Sequence, residues 1–180
     1  DPDSSRRLFT WRGTYSGATY PLTLEQVDDT SGGLFDAADP SATPTAGNPA
    51  LLGLPNLPTT TTADVTKLLG WMMGKDTYNE DGDATTDKRW PTADPLHSRP
   101  VAITYGAHGG DYSQPVVKVV SAGNDGVVRM FNDSTGQEEW AFVPQEMLEY
   151  QAILASGSEG EHVYGVDNTL IVWVQDNNNN

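Results

Sequence analysis

Oxygen ligands for a metal ion are concentrated in one short stretch of this 180-residue chain, residues 75–89. Six of its side chains offer carboxylate or amide oxygens, and five of them are the predicted ligands: Asp76, Asn79, Asp81, Asp83 and Asp87. Calcium binds about 6 to 8 oxygens in a flexible geometry. An EF-hand register fails, because Gly82 at its sharp turn would put Lys88 where a bidentate glutamate belongs. The stretch therefore predicts a looser calcium site, with a solvated acidic loop as the alternative.

A second group has the residue types of a hydrolase catalytic triad: Asp94, His97 and Ser98. Neighbouring residues of an extended chain point to opposite sides, so His97 cannot easily act as the base for Ser98. The chain also has no G-x-S-x-G elbow, and its three histidines have neither zinc-site spacing nor cysteine partners. We therefore predict no catalysis here, and we expect Asp94 and His97 to make hydrogen bonds that fix this loop.

The elements that must position these groups are β-strands joined by tight turns. Residues 116–122, 127–131 and 138–142 are rich in β-branched and aromatic residues. Turn sequences separate them, Gly123-Asn124-Asp125-Gly126 and Asp133-Ser134-Thr135-Gly136. With residues 101–105 as a further strand, the pattern predicts a four-stranded antiparallel unit.

Outside this unit the pattern is more irregular. Residues 8–11 have strand composition, whereas glycines and prolines break any period across residues 13–62. A capping box, Thr61 to Asp64, begins a helix predicted over about 62–73.

The C-terminal part predicts one helix and two strands. Pro144 and the apolar residues after it indicate a short helix over 144–154. Two strands, 162–166 and 170–174, are predicted to follow it.

Composition limits the class of function. The net charge of −15 argues against binding to nucleic acid or to an anionic membrane surface. No apolar run approaches 18 residues, so no membrane span is expected. The 18 glycines, 12 prolines and 37% apolar residues are typical of a mainly β protein with long polar loops.

The strand unit resembles one repeat of a quinoprotein-type β-propeller. The matching positions are Met130, Asn132, Thr135, Gly136 and Trp140, of which Met130 and Asn132 depart from the usual small residue and Asp. The resemblance implies that Asn132, Thr135, Gly136 and Trp140 dock one blade against the next. The longer string AGNDGVVRMFNDSTGQEEWAFVPQEML, together with Asp94, His97, Ser98 and Pro100, is similar to the C-terminal propeller of the PilC/PilY group.

The expected fold is mainly β. It is a partial β-propeller (quinoprotein-like) with one complete four-stranded blade and part of a second, irregular N-terminal loops and two short helices. Residues 1–89 form a loop-rich lead-in with the helix and the acidic loop, and residues 90–180 form the partial propeller, incomplete at its C-terminus. A propeller needs about 4 to 8 blades, so we expect the remaining blades to come from the same precursor or another chain.

The resemblance also implies a function. A PilC/PilY-like chain would be a non-catalytic cell-surface component of type IV pili, acting in pilus assembly or tip adhesion and modulated by calcium. Its partners would be pilin or minor pilins and a host or surface receptor, at the pilus or outer membrane. Two alternatives stay open: a fragment of a quinoprotein-type dehydrogenase propeller, and a generic extracellular propeller interaction scaffold.

Overall fold

A computed structural model of the protein describes residues 6–12, 23–28, 35, 49–55, 60–83, 87–157 and 163–174. One six-stranded mixed sheet dominates it, with the strand order β2-β1-β6-β5-β4-β3. Its strands are β1 (Leu8–Arg12), β2 (Thr23–Gln26), β3 (Val101–Ala107), β4 (Pro115–Ala122), β5 (Val128–Asn132) and β6 (Glu138–Phe142). The helices are α1 (Thr62–Met72), α2 (Gln145–Leu148) and α3 (Gln151–Ser156), with single 3₁₀ turns at Pro49–Leu52 and His108–Gly110.

Strands β3 to β6 form an antiparallel meander, as predicted. Val120 pairs with Met130 across β4 and β5, and Met130 pairs with Trp140 across β5 and β6. The β4–β5 turn closes on Gly126, whose φ of 76° strongly favours glycine. The bounds of the predicted strands lie within two residues of the observed ones.

The sheet extends beyond the four predicted strands. β1 pairs in parallel with β6, and β2 pairs antiparallel with β1. The prediction of an irregular 13–62 segment is therefore wrong at Thr23–Gln26, which is a strand. Its TLEQ sequence has one large apolar residue, Leu24, and that side chain is 64% exposed, so an apolar pattern could not identify it.

Helix α1 begins as its capping box predicts. The Thr61 side chain accepts the Asp64 amide at 3.3 Å, and the Asp64 carboxylate accepts the Thr61 amide at 2.8 Å. The helix buries Leu68 and Leu69 against one face of the sheet. This core combines residues 8 and 65–72 with residues 127–155, so the lead-in and the meander share one hydrophobic core.

The predicted helix over 144–154 is divided into α2 and α3. In a continuous helix the Met147 carbonyl would accept the Gln151 amide. It instead accepts the Gln151 side-chain amide at 3.0 Å and the Tyr150 amide at 3.4 Å. Gln151 is 1% exposed and also donates to the Asp125 carbonyl at 3.0 Å, which ties α3 to the β4–β5 turn.

Residues 163–174 contain no strand, so the two strands predicted there are not formed within the described part of the chain. A strand requires a hydrogen-bonded neighbour, and none of the described residues provides one. Leu170 and Val172 instead pack on a second apolar cluster, centred on Val120 and Met130, on the sheet face opposite α1. We call residues 163–174 the strap.

Candidate metal centre

The acidic loop is closed at its base by backbone pairing. Lys75 and Lys88 form an isolated antiparallel bridge, and the Asp76 amide donates to the Asp87 carbonyl at 2.8 Å. The Arg89 amide donates to the Gly74 carbonyl at 3.0 Å. This pairing brings residues 76 and 87 together although 11 positions separate them.

Three carboxylates converge above this base: Asp76, Asp81 and Asp87. Each offers one oxygen atom, and these oxygens lie within 4.8 Å of one another. Asp76 is only 4% exposed, and its Oδ1 accepts the Glu80 amide at 2.8 Å, whereas the other two are exposed. Hard oxygen ligands at this spacing could hold a metal ion.

The electrostatics of the triad favour neutralisation. Partial desolvation, followed by the negative charges of Asp81, Asp83 and Asp76, raises the pKa of Asp87 above its ordinary value. A bound cation would remove this repulsion, because it favours the ionised form of every carboxylate around it.

The two other predicted ligands stand outside the triad. Asn79 holds a left-handed conformation at φ 59°, and its carbonyl accepts the Gly82 amide at 3.3 Å. The Asp83 amide donates to Asp81 Oδ1 at 3.1 Å, so residue 83 orients a ligand through its backbone. The structure thus brings together three of the five residues predicted from the sequence.

A group of side-chain contacts that the sequence did not predict connects the acidic loop to α1. Glu80 Oε1 accepts Trp71 Nε1 at 2.5 Å and Arg89 Nε at 3.0 Å, and the Arg89 guanidinium lies 4.1 Å from the Trp71 ring centroid. The signal available in the sequence was Trp71, a large aromatic residue outside the helical apolar positions Val65, Leu68, Leu69 and Met72. This aromatic residue anchors both arms of the loop.

The predicted blade-docking residues lie at the end of the meander. Asn132 Oδ1 accepts the amides of Ser134 and Thr135 at 3.0 and 3.3 Å, and Gly136 completes the turn at φ 68°. Half-buried Trp140 packs on the second apolar cluster, which the strap residues also cover. These residues shape the β5–β6 turn and the strap-covered face.

The structure does not join Asp94, His97 and Ser98 in a hydrogen-bonded triad. His97 donates its amide to Asp167 Oδ1 at 2.9 Å, and its Nδ1 lies 2.8 Å from Asp167 Oδ2. Ser98 Oγ is buried without a hydrogen-bond partner, and the Asp94 carbonyl accepts the Asn124 amide at 2.9 Å. His97 and the Asp94 backbone thus hold the loop against the strap and the β4–β5 turn, and no hydrogen bond joins His97 to Ser98.

Comparisons with protein-family models, with curated proteins and with solved structures returned no match. Among the described residues, no helix has the length and apolarity needed to cross a membrane.

Proposed function

We propose that this chain is a non-catalytic, PilC/PilY-like cell-surface component of type IV pili, acting in pilus assembly or tip adhesion with calcium as a modulator. The observation that carries the proposal is the β3–β6 meander with Trp140 between its sheet face and the strap. A blade of a quinoprotein-like propeller requires such a four-stranded meander and an aromatic residue on its docking face.

Further blades are the first partners under this proposal. Ile171 and Trp173, on the outer side of the strap, are 98% and 82% exposed, while Leu170 and Val172 face the sheet. This alternation suits a strand that is covered by sheet on both faces. Pilins, minor pilins and a surface receptor would then bind the completed assembly outside the cell.

Calcium is the metal we assign to the triad. Its three carboxylates, together with the loop carbonyls and water, suit a cation that accepts irregular oxygen coordination better than magnesium does. Binding would relieve the repulsion around Asp87 and stabilise the loop in its closed form.

Calorimetric titration with Ca²⁺ and Mg²⁺ tests the metal assignment. Asp81→Asn should weaken calcium binding by on the order of tenfold, because it removes a charged ligand without changing the loop length. Asp133→Asn, an exposed carboxylate in the β5–β6 turn, is the matched control and should bind as the wild type does. Equal affinity in the wild type and Asp81→Asn would exclude the triad as the site.

The pilus role requires a separate test. Binding of the full chain to purified major pilin, minor pilins and assembled type IV pili can be measured by biolayer interferometry with calcium and with chelator. We expect binding that is weaker in chelator and in Asp81→Asn. An absence of binding to every pilus preparation in both conditions would refute the proposal and favour a scaffold of another surface complex.

A further inference from the structure

Two adjoining cavities of about 360 and about 320 Å³ lie on either side of residues 92–94. The larger extends to Trp71 and Leu154, and the smaller extends to Trp90 and Arg129. We call the pair the 90–95 groove. Cavities of this size are within the range that accommodates small ligands.

The backbone beneath this groove is anchored. Arg129 Nη2 donates to the Pro91 carbonyl at 2.7 Å, and the Asn124 amide donates to the Asp94 carbonyl at 2.9 Å. Arg129 is itself 2% exposed and belongs to β5. Residues 91–94, which form the wall of the groove, are therefore hydrogen-bonded to the sheet and its β4–β5 turn. A preformed wall lowers the entropy cost of binding.

An aromatic ring and an acid are among the exposed side chains of the groove. Trp90 is 80% exposed, and it lines the smaller cavity together with Asp94. The other carboxylate of the groove, Asp125, is paired with buried Arg129. The second cation of the groove, Arg89, is paired with Glu80. The Asp94 carboxylate makes no hydrogen bond or ion pair with any other described residue, so within the described part of the chain it is an unpaired negative charge of the groove.

We propose that the 90–95 groove binds a lysine or arginine side chain of an extended partner segment, between the Trp90 ring and the Asp94 carboxylate. An indole face attracts a cation, and a charge-assisted hydrogen bond to the acid adds to this attraction. The net charge of −15 favours encounter with a basic partner. This interaction is independent of the metal triad and of the pilus assignment.

The test uses the ¹⁵N-labelled full chain and two peptides, acetyl-Gly-Lys-Gly-Lys-Gly-amide and its Gln analogue. The Lys peptide should shift the Trp90 indole N–H signal saturably, and raising the salt concentration should weaken its binding. Asp94→Asn should weaken binding by about tenfold on this indole signal, and Trp90→Ala should weaken it by a similar factor when binding is followed on the backbone amide signals of residues 92–94. Both side chains are exposed, so amide spectra can verify that the variants remain folded.

Matched controls come from other exposed positions of the chain. Trp173→Ala and Asp133→Asn should bind the Lys peptide as the wild type does. The proposal is overturned if the Gln peptide binds equally, if Asp94→Asn binds normally, or if neither peptide shifts Trp90. A neutral oligosaccharide that shifts Trp90 without a salt dependence, while the Lys peptide does not, would overturn it in favour of a carbohydrate subsite. A Trp90 shift that follows protein concentration alone would overturn it in favour of self-association.

Discussion

At the scale of single residues, the pKa values of Asp87 in the metal triad and Asp167 in the strap are shifted in opposite directions. Repulsion around the triad raises the pKa of Asp87, whereas hydrogen bonds from the His97 backbone and ring lower the pKa of Asp167. A carboxylate with a raised folded-state pKa opposes folding when ionised, and one with a lowered pKa favours it. The two sites should therefore respond to pH in opposite directions.

Asp87→Asn should stabilise the metal-free protein at neutral pH. The charge of Asp87 is unfavourable as pH rises through its raised folded-state pKa, and below the ordinary aspartate pKa the substitution should have no effect. Urea unfolding midpoints at pH 7 and pH 3 in chelator measure this difference. Saturating calcium should reverse the order at pH 7, and an unchanged order would contradict the metal centre.

Asp167→Asn should release the strap from the loop that carries His97. The stabilisation by Asp167 is present above the ordinary aspartate pKa and is lost as pH falls through its lowered folded-state value. Faster hydrogen exchange of the Gly165 amide at neutral pH, with no difference from wild type at low pH, is the expected result. Asp111→Asn removes a carboxylate whose pKa is also lowered but which bonds Ser113, so it should leave Gly165 protected.

At the scale of elements, the strap is the least conventional part of the structure. The Gly165 amide donates to Asn124 Oδ1 at 3.0 Å, and a Cβ at position 165 would lie 2.4 Å from the Gly126 amide nitrogen. The strap therefore packs against the β4–β5 turn through a backbone contact that only glycine permits. The continuous apolar run in 170–174 indicated a strand but could not indicate this backbone contact.

Leu170→Ala should expose Trp140, because Leu170 packs on the same cluster. We expect a loss of less than about 2 kcal/mol of packing free energy within the strap contact, because Leu170 is only half-buried, and this loss would leave the strap partly detached. The indole N–H signal of Trp140 and its solvent accessibility report this change. Ile171→Ala, which truncates the neighbouring outward side chain, is the matched control, and an equal response would show that the strap does not cover Trp140.

At the scale of the whole molecule, a buried charge cluster connects parts that are distant in sequence. Glu138 accepts Arg6 Nε at 2.8 Å and lies 3.6 Å from Arg129 Nε, while Arg129 pairs with Asp125. Arg6 also donates to the Met72 carbonyl at 2.6 Å, at the end of α1. Burial lowers the pKa of Arg6, and the charge of Glu138 opposes that shift. The N-terminal arm, α1 and the meander therefore depend on one carboxylate.

Glu138→Ala should be strongly destabilising. Removing it leaves buried Arg6 without its carboxylate partner, although Arg129 keeps Asp125, and an unpaired buried charge typically costs about 3 to 5 kcal/mol. Glu139→Ala removes the adjacent residue, which pairs with Lys118, and should cost less, because both members of this pair are more exposed than Arg6 and Arg129. Urea denaturation of the two variants compares them directly, and equal losses would contradict a shared role for Glu138.

Local sequence was sufficient wherever a structure depends on neighbours in the chain. The Thr61 capping box, the Gly126 turn and the β3–β6 meander were predicted because hydrogen bonds over a few residues and the β-branched and aromatic composition of the strands determine them. Asp76, Asp81 and Asp87 were predicted as ligands by type, and a backbone bridge between residues 75 and 88 brings them together.

Only the tertiary structure decided which distant groups meet. The addition of β1 to β6, the division between α2 and α3, the pairing of Asp167 with His97 and the Arg6–Glu138 contact all join residues far apart in sequence or replace a local bond by a distant one. By itself the sequence determined a mainly β chain with a loop rich in oxygen ligands and a turn-rich meander. The packing of one face against α1 and of the other against the strap decided the rest, because burial depends on the whole chain and not on a local pattern.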